Sequence, residues 1–401
     1  MQRMISLAEA LAAYPAKITI LPATTVVLEQ ALHRVLRTPA LARCDLPRFS
    51  QSALDGYVLT NEDAATAPCT LTITDAIFAG ENSALKPLRR GECQRILTGA
   101  RVPPNAGAVV AQERVGVTDG AMTLREPLKP GANIRWQGEE LREHATLGDI
   151  GQRLTPGHLA ALAAAGADKL IVTRAPRIRV LVSGDEVKPV GTSLLDGQIW
   201  DANGPLVLSW LRSRGYTADL HYSGDTREAV EAALKQSLND ADLTITTGGV
   251  SVGDKDYILP AAESLGVRRV FWQVAQKPGK PLYFGLQAGT VLMGLPGNPG
   301  AVLIGLTLHV RAILDALEGT APAGAFFNPG TLVAPVKADA QRDCLSRMRL
   351  QIAADGRAEL HPLLHQDSHM LSNLASATVL VHLPAQARPY TAGTLVRWTW
   401  L

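Results

Sequence analysis

Cysteine is scarce in this chain. Four are spread over 401 residues, at Cys44, Cys69, Cys93 and Cys344. None forms a C-x-x-C pair, which argues against a cysteine-built zinc or redox centre. Reduced thiols are expected, as in a cytoplasmic protein. An excess of one charge is lacking too. The formal net charge is +2, with no block of like charges, which argues against a dedicated nucleic-acid binder. No apolar run reaches the roughly 20 residues that cross a bilayer, so no membrane span is expected. No G-x-S-x-G elbow is present, which leaves a serine-nucleophile hydrolase without its signature. Near the start, Ser6 and Glu9 fit a helix capping box rather than the apolar core of a signal peptide. What the chain does hold is apolar residues, 46% of the total, which argues against disorder. Its length suggests two to four domains.

Residues 6–14 read as a short amphipathic helix, and residues 26–37 show apolar positions at helical spacing that Pro39 ends. From about 44 to 150 short β-prone runs alternate with Gly, Pro, Asn and Asp turns, the texture of a compact β domain. A helix is expected at 156–165, with Pro156 at its start and Gly166 at its end. From about 176 strands and helices alternate: strands at 179–183, 218–222, 243–247, 267–274 and 290–294, helices at 204–214, 226–238 and 299–318. That alternation predicts a parallel sheet with helices on both faces. Ligands bind such sheets beyond the carboxyl ends of the strands. Residues 319–324 read as a linker, and 325–401 as a small C-terminal β domain.

Three loops leave strands at that end. Asp242-Leu-Thr-Ile-Thr-Thr-Gly-Gly-Val-Ser-Val-Gly-Asp-Lys-Asp256 is the most informative. Its glycines let bare backbone N–H groups approach a ligand. Asp254 and Asp256 add carboxylates of the kind that hold Mg²⁺. An anionic, phosphate-bearing substrate with a metal ion fits this pattern, as does an ordinary glycine-rich loop. Ser183-Gly-Asp-Glu186 puts two acids at another strand end, suited to a metal or to proton transfer. Leu295-Pro-Gly-Asn-Pro-Gly300 precedes a helix whose N-terminus attracts anions, and Asn298 also suits a plain N-cap. Asp225 follows a fourth strand as a further metal candidate or a helix cap. Lys277-Pro-Gly-Lys-Pro281 holds two ammonium groups on a stiff turn, fit for a dianion or for solvent. Asp55-Gly and Thr98-Gly read as turns. His361, His365 and His369 recur at helical spacing, but Pro362 inside the run argues against a metal-binding helix.

Taken together these motifs resemble the molybdopterin molybdenumtransferase family, MoeA and the related E domain of gephyrin. The likeness is collinear through Asp45-Leu-Pro47, Ser52-Ala-Leu-Asp-Gly-Tyr57, Thr98-Gly-Ala100, Ser183-Gly-Asp-Glu186, Gly248-Gly-Val-Ser-Val-Gly253, Lys277-Pro-Gly-Lys-Pro281, Gly294-Leu-Pro-Gly-Asn-Pro299 and Ser368-His369. The resemblance implies a multidomain α/β and β protein. A central doubly wound molybdopterin-binding α/β domain would span 176–319. An N-terminal helical and linker domain would take 1–43 and 144–175, with a β-rich insert at 44–143 and a barrel-like domain at 325–401. It also implies the reaction: adenylylated molybdopterin and molybdate bind together, molybdenum is placed on the dithiolene sulfurs, and AMP leaves with Mg²⁺ assisting.

By the same resemblance Ser251, Lys277, Lys280, Arg347 and Ser368 would receive molybdate. Glu186, Asp225 and Asp256 would hold the metal. Gly248, Gly249, Gly253, Asp254, Pro296, Gly297 and Asn298 would cradle phosphate and nucleotide. Asp55 and Thr98 match positions needed for activity and would complete the site across a homodimer. Other proteins of molybdenum cofactor biosynthesis are further partners it suggests. The chain departs from the family pattern at Asp367, where glycine is usual, at Gln273, where some members carry lysine, and at Cys344-Leu345, where an aromatic is usual. The alternatives are a molybdopterin-binding carrier or scaffold and, one step earlier in synthesis, an adenylyltransferase.

Overall fold

The computed structural model describes residues 4–81, 84–251 and 256–401. Its first helix, Leu7–Lys17, starts as the capping box predicts. The Ser6 hydroxyl accepts from the Glu9 N–H at 3.1 Å, and the Glu9 carboxylate accepts from the Ser6 N–H at 2.7 Å. The helix buries Leu7, Ala10 and Tyr14 in the main core. Residues 26–37 do not form a helix. Ala23–Val27 is a strand antiparallel to Lys169–Thr173, followed by a single 3₁₀ turn at Leu28–Gln30. The cause is local and tertiary together. Thr24, Thr25, Val26 and Val27 are β-branched and favour an extended backbone. A distant partner strand, Lys169–Thr173, completes the ladder, and His33 at φ 63° breaks any helical path.

Six strands build the β-rich insert, in the order Ala108–Ala111, Gly56–Leu59, Glu92–Ile96, Cys69–Ile77, Ala121–Leu124 and Val115–Thr118. The central sheet has the order Ala218–Ser223, Ile178–Ser183, Leu243–Thr247, Thr290–Leu295, Tyr283–Gln287 and Arg268–Trp272. The first four are parallel, as expected. Tyr283–Gln287 runs antiparallel to both of its neighbours, so the sheet is mixed and Arg268–Trp272 runs with the first four. The strand Tyr283–Gln287 has no counterpart in the sequence reading, because its short apolar run sits directly behind the Lys-Pro-Gly-Lys-Pro turn. Five strands close the C-terminal barrel: Asp343–Ile352, Ala358–Pro362, Asn328–Leu332, Leu395–Trp400 and Val379–Leu383, the last pairing back to the first.

The helix Pro299–Glu318 has the length and composition to cross a membrane, yet 94% of its apolar window is buried inside the protein. It is the core helix. Near the root of the central sheet, buried Asp242 joins two parts of the chain. It accepts from both Nη atoms of Arg174 at 2.8 and 2.9 Å and from the Arg177 N–H at 2.7 Å. Burial pushes its pKa up, but the hydrogen bonds from Arg174 and Arg177 outweigh it and hold the carboxyl at about 2. A depressed native pKa contributes stability above the ordinary value of 3.8, lost as pH falls towards 2. Asp242→Asn is therefore expected to unfold at lower denaturant at pH 7, with the gap to the parent protein closing between pH 4 and 2. A gap that stays constant with pH would contradict this.

Candidate active-site cleft

Three adjacent parallel strands, Ile178–Ser183, Leu243–Thr247 and Thr290–Leu295, release their loops on one edge of the sheet. These loops line a cleft of about 940 Å³. Glu186, Asp225, Asp256, Gly248, Gly249, Gly297 and Asn298 all face it, so the sequence-predicted acids and glycines are brought together. Gly248 and Gly249 have φ of 88° and 67°, where a side chain is strained. A Cβ on Gly249 would also stand 2.7 Å from Ile258. Glycine at 249 therefore lets the turn pack down onto the buried Ile258. Gly253 and Asp254 lie outside the described residues.

Asn298 precedes the core helix without capping it by its side chain. Its Nδ2 donates instead to the Ser368 hydroxyl at 2.8 Å, while the Gly300 N–H donates to the Ser368 carbonyl at 2.9 Å. The barrel domain thus roofs the helix N-terminus. Arg347 lies beside Ser368 but is no open cation, being 1% exposed. Its Nη2 donates to the His365 and Asp367 carbonyls at 3.3 and 3.2 Å. Its Nε and Nη1 are buried without a hydrogen-bond partner among the described residues. Burial draws its pKa down, and Asp367 partly offsets this.

A recess of about 210 Å³ adjoins the cleft and is lined by Ser251, Asp256, Pro281, Pro296, Gly297 and Asn298 among others. Lys277 and Lys280 stand exposed on the turn that gives this recess its Pro281. Asp55 and Thr98 meet each other, not this cleft. Asp55 accepts from the Thr98 hydroxyl at 2.6 Å and its N–H at 2.7 Å. Those bonds hold its carboxyl below the usual range.

Among the described residues, no group of three or more His, Cys, Asp or Glu side chains could by itself hold a metal ion. Glu186, Asp225 and Asp256 share a cleft without forming a finished cage. That suits Mg²⁺, which binds through one or two carboxylates plus substrate phosphates and waters. Of the three histidines, His361 lies on a strand and His365 at φ 59°, so no helical ligand face exists.

Two lining residues went unnoticed in the sequence. Asp201 is 3% exposed and accepts from the Asn203 and Gly204 N–H groups at 2.8 and 3.0 Å. This fixes the start of the helix Asn203–Arg212, and Asn203 Nδ2 in turn donates to the Gly297 carbonyl at 2.6 Å. The Asp-Ala-Asn-Gly string was the available signal, an acid placed to cap a helix. Trp200 is 55% exposed at the cleft. No periodicity marks it, since it sits on a two-residue strand, Ile199–Trp200.

The chain matches the descriptions "MoeA N-terminal region (domain I and II)" over residues 5–166, "Probable molybdopterin binding domain" over 180–316 and "MoeA C-terminal region (domain IV)" over 329–401. A molybdopterin molybdenumtransferase of Staphylococcus epidermidis is 31% identical over 374 residues, covering 92% of this chain and 89% of its own. The chain belongs to the molybdopterin molybdenumtransferase family. A Staphylococcus aureus relative of that name is 30% identical over 381 residues, covering 94% and 90%. The crystal structure of a molybdopterin biosynthesis MoeA protein from Pyrococcus horikoshii superposes with a TM-score of 0.82 at 26% identity, covering 99% of each chain. The family's architecture therefore extends through the barrel that roofs the cleft.

That roof depends on a missing side chain. A Cβ on Gly300 would stand 1.9 Å from Arg347 Nη1 and 2.8 Å from the Ser368 carbonyl. Gly300→Ala is expected to cost about 1–3 kcal/mol in denaturation, the usual penalty of overpacking. It should also shift the Ser368 resonances in a spectrum of the native protein. Unchanged stability would show that the roof packs loosely.

Proposed function

We propose that the cleft binds adenylylated molybdopterin and molybdate together, transfers molybdenum to the dithiolene sulfurs and releases AMP with Mg²⁺ assisting. As a family member the chain is a transferase of molybdenum cofactor biosynthesis. The observation that carries the reading is the convergence of three motif loops from neighbouring strand ends under a roof supplied by the barrel. The N–H groups of Gly248, Gly300, Ala301 and Val302 are already bonded within the protein, so it is the positive dipole end of the core helix that would favour phosphate oxygens at the cleft. The exposed indole of Trp200 offers a flat face to a fused heterocycle. Glu186, Asp225 and Asp256 would hold Mg²⁺, which supplies charge screening on a pyrophosphate. Molybdate, a substrate dianion, would enter at the recess between Ser251 and the lysine turn, where Lys277 and Lys280 neutralise its charge. Ser368 and the buried Arg347 would close that end.

Asp55 and Thr98 form a fixed pair on the β-rich insert, away from the cleft of their own chain. In our reading they serve the cleft of a second copy, so the working form is a homodimer. The cytoplasm is the expected compartment, alongside other proteins of the pathway. One observation favours the carrier or scaffold reading: Arg347 is too buried to meet an ion without movement of the Ser368 loop.

Molybdate-stimulated AMP release from adenylylated molybdopterin and Mg²⁺ decides between the two. Tight binding without AMP release would leave a carrier. Lys277→Ala should raise the molybdate requirement roughly ten- to a hundredfold, the worth of a charge-assisted hydrogen bond, with smaller change for the pterin substrate. Equal effects on both substrates would contradict the recess assignment. Asp256→Asn keeps the side-chain shape and removes a charge. It should lose turnover strongly while the fold persists, with partial recovery at raised Mg²⁺. Near-normal turnover at low Mg²⁺ would remove Asp256 from the metal set.

A further inference from the structure

Three polar side chains lie deep in the apolar core, away from the cleft. Tyr14, Gln276 and His309 are each 0% exposed. The Tyr14 hydroxyl lies 2.8 Å from His309 Nδ1, and His309 Nε2 lies 2.9 Å from Gln276 Oε1. Gln276 Nε2 then donates to the Gly279 carbonyl at 3.2 Å. The chain of bonds spans the first helix, the core helix and the Lys-Pro-Gly-Lys-Pro turn.

One hydrogen arrangement satisfies every atom. The Gly279 carbonyl only accepts, so Gln276 presents its NH₂ there and its oxygen to His309. His309 Nε2 must then carry the proton, and Nδ1 accepts from the Tyr14 hydroxyl. Complete burial pushes the His309 pKa down to about 3 and the Tyr14 pKa well up, so both stay neutral. Phe284 and Phe271 pack against Tyr14 with ring centroids 4.9 and 6.0 Å away. In so apolar a setting each bond is strong and each missing partner costly.

His309 reaches this position because the core helix widens into a π turn at Leu306–Val310. Such turns are rare and concentrate at functional sites. One added residue rotates the remainder of the helix by about 100°, which decides what the imidazole meets. The outer end of the hydrogen-bonded chain is equally specific. Gly279 has φ 92°, and a Cβ there would stand 2.8 Å from Gln276 Nε2. The turn is therefore moulded on the buried amide. Gln276 and Lys277 also pair with Asp343 and Cys344 of the barrel.

We infer that the Tyr14–His309–Gln276 chain positions Lys277 and Lys280, making Gln276 and His309 positioning residues for capture of the molybdate dianion. The inference rests on the proposed reading of the two lysines as molybdate ligands. Anchoring the turn from below spares the anion the entropy of ordering it, so loss of the anchor falls on molybdate binding first.

The test uses the full-length protein with adenylylated molybdopterin, Mg²⁺ and varied molybdate. It compares His309→Phe, His309→Gln and Lys277→Ala, with amide exchange followed at residues 276–281. His309→Phe should raise the molybdate half-saturation about five- to tenfold, the loss of one or two net hydrogen bonds. The KM for the pterin substrate should hardly move, and exchange in the turn should quicken. His309→Gln keeps an amide able to donate to Gln276 and should recover most of both effects. If Lys277→Ala raises the molybdate requirement but His309→Phe does not, the positioning role is overturned and the lysine reading stands. If Lys277→Ala leaves it unchanged, the lysine reading itself falls and the positioning role with it. Equal loss on both substrates in His309→Phe and His309→Gln, with lowered melting temperature, would mark a purely structural role and overturn the inference.

Discussion

A helix with almost no face left for water governs this molecule. Pro299–Glu318 is buried along its length, so every polar group on it must find a partner inside the protein. Thr307 bonds back to the Leu303 carbonyl within the helix, but several of the other partners belong to distant parts of the chain. Its N-terminus meets the Ser368 segment of the barrel, and its middle meets Tyr14 and Gln276 through His309. At its C-terminal end the buried acids Asp315 and Glu318 meet Arg153 at 3.0 and 2.8 Å, and Glu318 also accepts from Tyr216. A buried ion pair is weak evidence of net stability, but it penalises every arrangement that separates its members. The same helix that lines the cleft thus fixes how the surrounding segments dock around it.

Much of the candidate site was legible in the sequence because its chemistry is local. Paired glycines, an acid after a strand and a lysine pair around proline carry their meaning within a few residues. The parallel core of the sheet was legible for a similar reason, since strand and helix periods alternate cleanly there. Residues 26–37 failed because the apolar spacing is real but serves a strand, a turn and a packed loop. Only the distant ladder with Lys169–Thr173 decides the matter. The antiparallel edge escaped because Tyr283–Gln287 is five residues long and its partner lies across a turn. His309 read as one more residue of an apolar helix. Its role depends on a π turn and on two partners, one 295 residues earlier in the chain and the other 33.

The cleft separates its charges by origin. The acids that line it hang from loops of the parallel strands, whereas Lys277 and Lys280 ride exposed on the neighbouring turn, before the antiparallel edge, and do not line it. On the proposed reading, a hard cation and an oxyanion would have separate ligands. Such separation suits a substrate that carries a pyrophosphate at one end and a metal-accepting group at the other.

The same logic revises the meaning of Asp367. From the sequence, a carboxylate beside an oxyanion pocket looks repulsive, and glycine is the usual residue there. In the structure Asp367 is exposed, and it is the backbone carbonyl that accepts from Arg347. The side chain acts on Arg347 in the opposite sense to burial, favouring the charged guanidinium. Arg347 has two buried donor nitrogens, Nε and Nη1, without partners among the described residues. Asp367 is thus a favourable neighbour for the Arg347 charge, and its exposure to water screens the field it projects.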